Sequence, residues 1–72
     1  MNVKYFPDTD TALIELSDKV VHETVEINDN ILLDLDRDGK VVCMTIEQAR
    51  ENAKLPHFSY TEVVDQPVKQ SA

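Results

Sequence analysis

The stretch from Ile31 to Met44 constrains this chain more than any other. Ile31-Leu-Leu-Asp-Leu35 and Lys40-Val-Val-Cys-Met44 are apolar runs, and between them stands a polar knot, Asp36-Arg-Asp-Gly39. Two β-forming runs joined by a short loop with a glycine are the pattern of a β-hairpin. The glycine supplies the left-handed backbone position that such loops need. Asp36 and Asp38 read as turn formers, because short acidic side chains hydrogen-bond nearby backbone N–H groups. The second strand is apolar on both faces, Val41 and Cys43 against Val42 and Met44, which places it centrally in a sheet.

The same reasoning extends along the chain. Residues 2–6 read as a strand, and Pro7, Asp8 and Asp10 read as a turn in which proline pre-sets φ. Residues 11–16 form a second strand and 17–19 a turn. Residues 20–27 alternate, with Val21, Glu23, Val25 and Ile27 on one side and His22, Thr24 and Glu26 on the other. Asn30 closes the next turn, since asparagine tolerates positive φ. Thr45-Ile-Glu-Gln48 resembles a capping box opening a short helix that runs to Lys54, where Pro56 stops it. A helix this short needs a sheet to dock on. The expected fold is α+β: a small β-rich domain, a five-stranded antiparallel meander followed by one short C-terminal helix and an extended tail. The expected core is Val3, Tyr5, Ile14, Leu16, Val25, Ile27, Ile31, Leu33, Leu35, Val42, Met44 and Ile46. The domain covers residues 1–54 and the tail residues 55–72.

The tail leaves two readings open. Phe58, Tyr60, Val63 and Val64 are β-formers and apolar anchors. Either the segment lies on its own domain, with a sixth strand as one form, or is partly disordered, or it forms an arm that binds a neighbouring chain's sheet edge or a partner's groove. Residues 67–72 read as a frayed end.

A chain of 72 residues allows one domain with a thin core, and domains of this size often rely on metal, disulfides or self-association. The lone Cys43 makes no internal disulfide, and two histidines with one cysteine are a poor zinc set. Self-association, a dimer in the simplest case, is the remaining source of burial. The net charge of −7 argues against nucleic acid and anionic membranes and suits a basic protein partner. Residues 1–44 hold ten acids and four bases, so −6 of that total. No apolar run approaches the length of a membrane span, and the N-terminus lacks the apolar stretch of a signal peptide. A reducing, cytoplasmic compartment is expected.

No constellation for catalysis stands out. Asp34-Leu-Asp-Arg-Asp-Gly39 matches the opening of a calcium loop, but the place of its bidentate glutamate is taken by Thr45, and the flanks call for strands instead of helices. Asp8 and Asp10 form a carboxylate pair with no nucleophile nearby. His22 and His57 read as surface residues, and Cys43 as a buried small hydrophobe. Gly39 is the only glycine, so there is no phosphate-cradling loop. The chain is expected to be a non-enzymatic interaction domain with no cofactor. The alternative is a small-molecule or metal-binding domain that uses Asp34, Asp36 and His22.

These residues also carry a resemblance. Tyr5-x-Pro7-Asp8, Asp10, Ile14-x-Leu16-Ser17, Glu23-Thr24 and Asp29 make up its first half. Asp34-x-Asp36-x-Asp38-Gly39-x-Val41-Val42 and Ile46-Glu47 make up its second. Across residues 4–47 the chain resembles a bacterial family of small proteins catalogued as domain of unknown function 2283. Ala12-Leu13 stands where that family usually has leucine and an aromatic residue, and Asn30 and Cys43 replace usual glycines. The resemblance implies a β-rich fold with a terminal helix and no particular activity, and it leaves room for an antitoxin-type role.

Overall fold

A computed structural model describes residues 1–65. Its strands are β1 (Asn2–Phe6), β2 (Thr11–Glu15), β3 (Glu23–Asn28), β4 (Ile31–Leu35) and β5 (Val41–Glu47), followed by the helix α1 (Ala49–Ala53). All neighbours pair antiparallel in one sheet of order β1-β2-β5-β4-β3. The expected α+β class, five antiparallel strands and a short terminal helix are therefore present. The order departs from a single meander, because β2 pairs with β5 and not with β3. β5 is apolar on both sides, so the inner position suits it, and the hairpin β1-β2 joins the meander β3-β4-β5 through it.

This order lengthens the β2–β3 connection, which must pass the ends of β5 and β4. Leu16 and Ser17 both donate backbone N–H groups to the Val42 carbonyl, at 2.8 and 3.3 Å. His22 donates to Leu35 O at 2.8 Å. Residues 20–22, expected in the third strand, are consumed by this passage, and Leu16 and Val21 stay exposed. Ile27 is also exposed, as the extra residue of a bulge between Glu26 and Asn28. Leu16 and Ile27 thus leave the expected core. Residues 67–72, read above as a frayed end, lie outside the described residues.

The turns use side chains where the backbone cannot close alone. Asp36 Oδ1 accepts from the N–H groups of Asp38 and Lys40, both at 2.9 Å. Gly39 has φ +82°, the left-handed position that the loop requires. In the β3–β4 turn the side chain of Asn28 accepts from Asn30 N at 2.8 Å. Asn30 is not among the described positive-φ residues, which are Asp10, Gln48, Lys54 and Gly39. The turn is closed by a side-chain acceptor two residues earlier, so it needs no left-handed residue at Asn30.

One face of the sheet carries Val3, Tyr5, Ala12, Ile14, Ile31, Leu33, Met44 and Ile46, brought together by the registers Tyr5↔Ala12↔Ile46↔Ile31 and Val3↔Ile14↔Met44↔Leu33. The buried cluster is Ala12, Ile46, Ala49 and Leu55, at the end where α1 docks, with Tyr5, Ile14, Met44 and Ala53 against it. A five-residue helix covers only that end, so Val3, Ile14, Leu33 and Met44 remain half-buried. Among the described residues no second layer covers the opposite face. Leu13, Thr45 and Leu32 line up there beside the exposed Lys4–Glu15 ion pair at 3.2 Å.

Candidate functional site

The helix end of the sheet holds the densest side-chain network. β5 continues through Thr45, which pairs with Leu13 and Leu32 and so cannot cap a helix. Gln48, at the helix start, is left-handed and makes no side-chain cap. The expected capping box is absent for that reason. Its work is done from the β1–β2 turn. The Ala49 N–H donates to Asp10 O at 2.9 Å, and the Arg50 N–H donates to Asp10 Oδ1 at 3.1 Å. Orphan amides of a helix start are thereby met by a residue far away in sequence.

The same carboxylate oxygen accepts from the Tyr5 hydroxyl at 2.7 Å, and Arg50 Nε donates to that hydroxyl oxygen at 3.0 Å. The bond to Asp10 holds the Tyr5 phenol above its ordinary range, and partial burial adds to this while Arg50 opposes it. Tyr5 therefore stays protonated near neutral pH and acts as a hydrogen-bond donor, not as a base. The chain Arg50–Tyr5–Asp10 is closed on itself and clamps α1 to β1. Asp8, the other carboxylate of this turn, is exposed.

At the opposite end, the acidic hairpin is equally committed. Asp34 accepts from Thr24 Oγ1 at 2.7 Å across the β3–β4 pair. The backbone N–H of Lys40, followed by that of Asp38 and the nearby Lys19 and Lys40 charges, lowers the Asp36 carboxyl below the usual aspartate range, against a partial desolvation. Stability from these bonds is present above the ordinary aspartate value of about 3.8 and is lost as pH falls through the lower folded value. Carbon-detected NMR titration is expected to place the Asp36 midpoint below the ordinary aspartate value. An ordinary midpoint would mean that the carboxylate does not hold this loop.

Both histidines are exposed. Cys43, read above as buried, is only half-buried, because no second layer among the described residues covers the face it shares with Glu15 and Asp34 in register; burial together with those two carboxylates pushes its thiol up. A thiol held in its protonated form is a poor nucleophile. No group of three or more His, Cys, Asp or Glu side chains placed to hold a metal occurs among the described residues. No helix among them is long and apolar enough to cross a membrane.

The interaction candidates lie beyond Leu55. Phe58 is 63% exposed, Tyr60 77%, Val63 86% and Val64 67%. Residues 58–65 form neither strand nor helix, so the further strand does not form on this domain. Leu55 itself is buried in the core, which makes Pro56 the point where the chain leaves the domain. The spacing of Ala49 and Ala53 put both on the helix face that docks, as observed, whereas Ala12 and Leu55 were missed as core; the available signal was Ala12, a small residue in a strand of larger ones.

Fold and site together define a small antiparallel sheet clamped at one end by a short helix, with an apolar segment leaving from that end. The chain belongs to the family described as Protein of unknown function (DUF2283), which matches residues 2–50. No curated protein matches the chain, and no solved structure does.

Proposed function

We propose that this chain is a non-enzymatic protein-interaction domain that self-associates, with residues 57–64 as its binding arm. The observation that carries the reading is the exposure of Phe58, Tyr60, Val63 and Val64 in one short segment. Four neighbouring apolar side chains held in water are the mark of a surface that meets a partner.

The acidic hairpin supports a ligand site less well, since Asp34 and Asp36 already spend carboxylate oxygens on Thr24 and on two backbone amides. With a net charge of −7, any second partner is a basic protein. The lone, half-buried thiol fits work in a reducing cytoplasm.

Light scattering across a concentration series tests the reading on the full chain and on a chain ending at Pro56. That cut keeps Leu55, which a cut after Lys54 would remove from the core. The full chain is expected to reach twice the monomer mass while the shortened one stays at it. A full chain that stays monomeric at every concentration overturns the proposal.

A further inference from the structure

The sheet has two free edges, and they differ. β3 is bent by its bulge at Glu26/Asn28 and carries Glu23 and Glu26. Bulges and charges of this kind protect an edge from pairing. β1 has no bulge: its ladder with β2 is unbroken from Asn2 to Phe6, and it carries a single charge, Lys4, which also pairs with Glu15 at 3.2 Å. Phe6, at its end, is 45% exposed.

We infer that the outer edge of β1 receives residues 60–64 of a second copy as a sixth, antiparallel strand. This rests on the arm reading above and names the surface that the arm meets. The register follows from the side chains. Opposing Phe6 to Tyr60 places Lys4 against Glu62 and Val3 against Val63. An aromatic pair, an ion pair and a β-branched pair are the cross-strand combinations that stabilise a ladder. A slip by one residue moves Glu62 onto Val3 or Tyr5 and loses the pairs of Lys4 with Glu62 and Val3 with Val63. Along β3 the bulge between Glu26 and Asn28 interrupts the ladder that an added strand would follow.

Backbone chemistry also favours an edge over the open apolar face. A lone strand laid on that face would bury amides and carbonyls without partners, and an edge supplies them. Residues 57–59 span about 10 Å when extended, enough to carry the arm off its own domain. The occupant is a second copy because residues 60–64 complement the β1 of this same chain and yet form neither strand nor helix on their own domain. Reciprocal exchange then gives a closed two-fold dimer.

Disulfide trapping tests the register in the full chain with Cys43→Ala. Directly opposed antiparallel residues lie within disulfide reach. Lys4→Cys with Glu62→Cys is expected to give a covalent dimer on mild oxidation, and Lys4→Cys with Ser59→Cys is not. In the otherwise unaltered chain, Glu62→Lys sets two lysines opposite each other and is expected to weaken the dimer about tenfold by light scattering. A dimer by mass that neither cross-links nor responds to Glu62→Lys overturns the β1 edge and leaves self-association standing. A disulfide closed within one chain overturns the second copy as occupant. A monomer with no disulfide overturns both readings.

Discussion

Replacing Ile46 with alanine is expected to lower the melting temperature by roughly 10–30 °C, enough to leave much of the chain unfolded under ordinary conditions. Ile46 sits on β5 between Ala12 and Ile31 in register and under Ala49 and Leu55. Ala12 is small, so the docking helix comes close to the sheet there, and Ile46 supplies most of the volume between them. Truncating a buried isoleucine costs about 2–4 kcal/mol through lost burial and the cavity left behind. Only Ala12, Val42, Ile46, Ala49 and Leu55 are buried among the described hydrophobic residues, so no deeper layer absorbs the loss. A domain this small has only about 5 kcal/mol to lose. Leu33→Ala, on the half-buried part of the same face, is the comparison and is expected to cost less. Thermal unfolding followed by circular dichroism measures both. If Ile46→Ala melts within a few degrees of the parent, the helix-covered cluster is not what holds the fold.

The parts of this fold legible in the sequence are those set by neighbours in the chain. The hairpin around Gly39 is one, because its strands and its bend lie within a dozen residues and the glycine is needed locally. The central place of β5 is another, since apolarity on both faces leaves it no edge position. Strand order was not legible: a three-stranded meander that closes back on β2 and a five-stranded meander have the same local patterns, and only the packing of β5 against both hairpins separates them. The third strand began later than its alternation suggests because that order demands a long connection, and Val20 to His22 were needed as passage. Thr45-Ile-Glu-Gln48 matches a capping box in spelling, but pairing with β2 and β4 on both sides holds Thr45 in the sheet. Asp10 read as a turn former, and it is one, at φ 54°. Its second task, meeting a helix start forty residues on in the sequence, depends on a contact that no local pattern encodes. The exposed anchors Phe58, Tyr60, Val63 and Val64 were legible as β-formers, but not whether their own sheet would take them.

Asp10→Ala is expected to loosen α1 and to cost roughly 2–3 kcal/mol, the second largest effect of a single change here. Two losses add. The first is a cap: the carboxylate that accepts from Arg50 N and from the Tyr5 hydroxyl disappears, and removal of a capping side chain costs about 1–2 kcal/mol. The second is conformational: Asp10 sits at φ 54°, where alanine is disfavoured by about 1 kcal/mol and aspartate or asparagine is tolerated better. Three substitutions separate these losses. Asp10→Gly relieves the backbone and removes only the acceptor. Asp10→Asn keeps an acceptor and the left-handed tolerance, so it is expected to lose least. The expected order of melting temperature is therefore parent, Asn, Gly, Ala. Amide exchange gives the local reading, because the Ala49 and Arg50 N–H groups are the ones that Asp10 holds. The Arg50 N–H, which loses its carboxylate acceptor, is expected to exchange faster in Asp10→Ala, while the Ala49 N–H, which keeps the Asp10 carbonyl, is accelerated less and amides in the β4–β5 ladder follow only the global loss. Equal acceleration everywhere would mean that the clamp acts on the sheet as a whole and that α1 has no separate hold. Selective acceleration would mean that the β1–β2 turn sets where Leu55 packs, and hence the point and direction from which the arm leaves the domain.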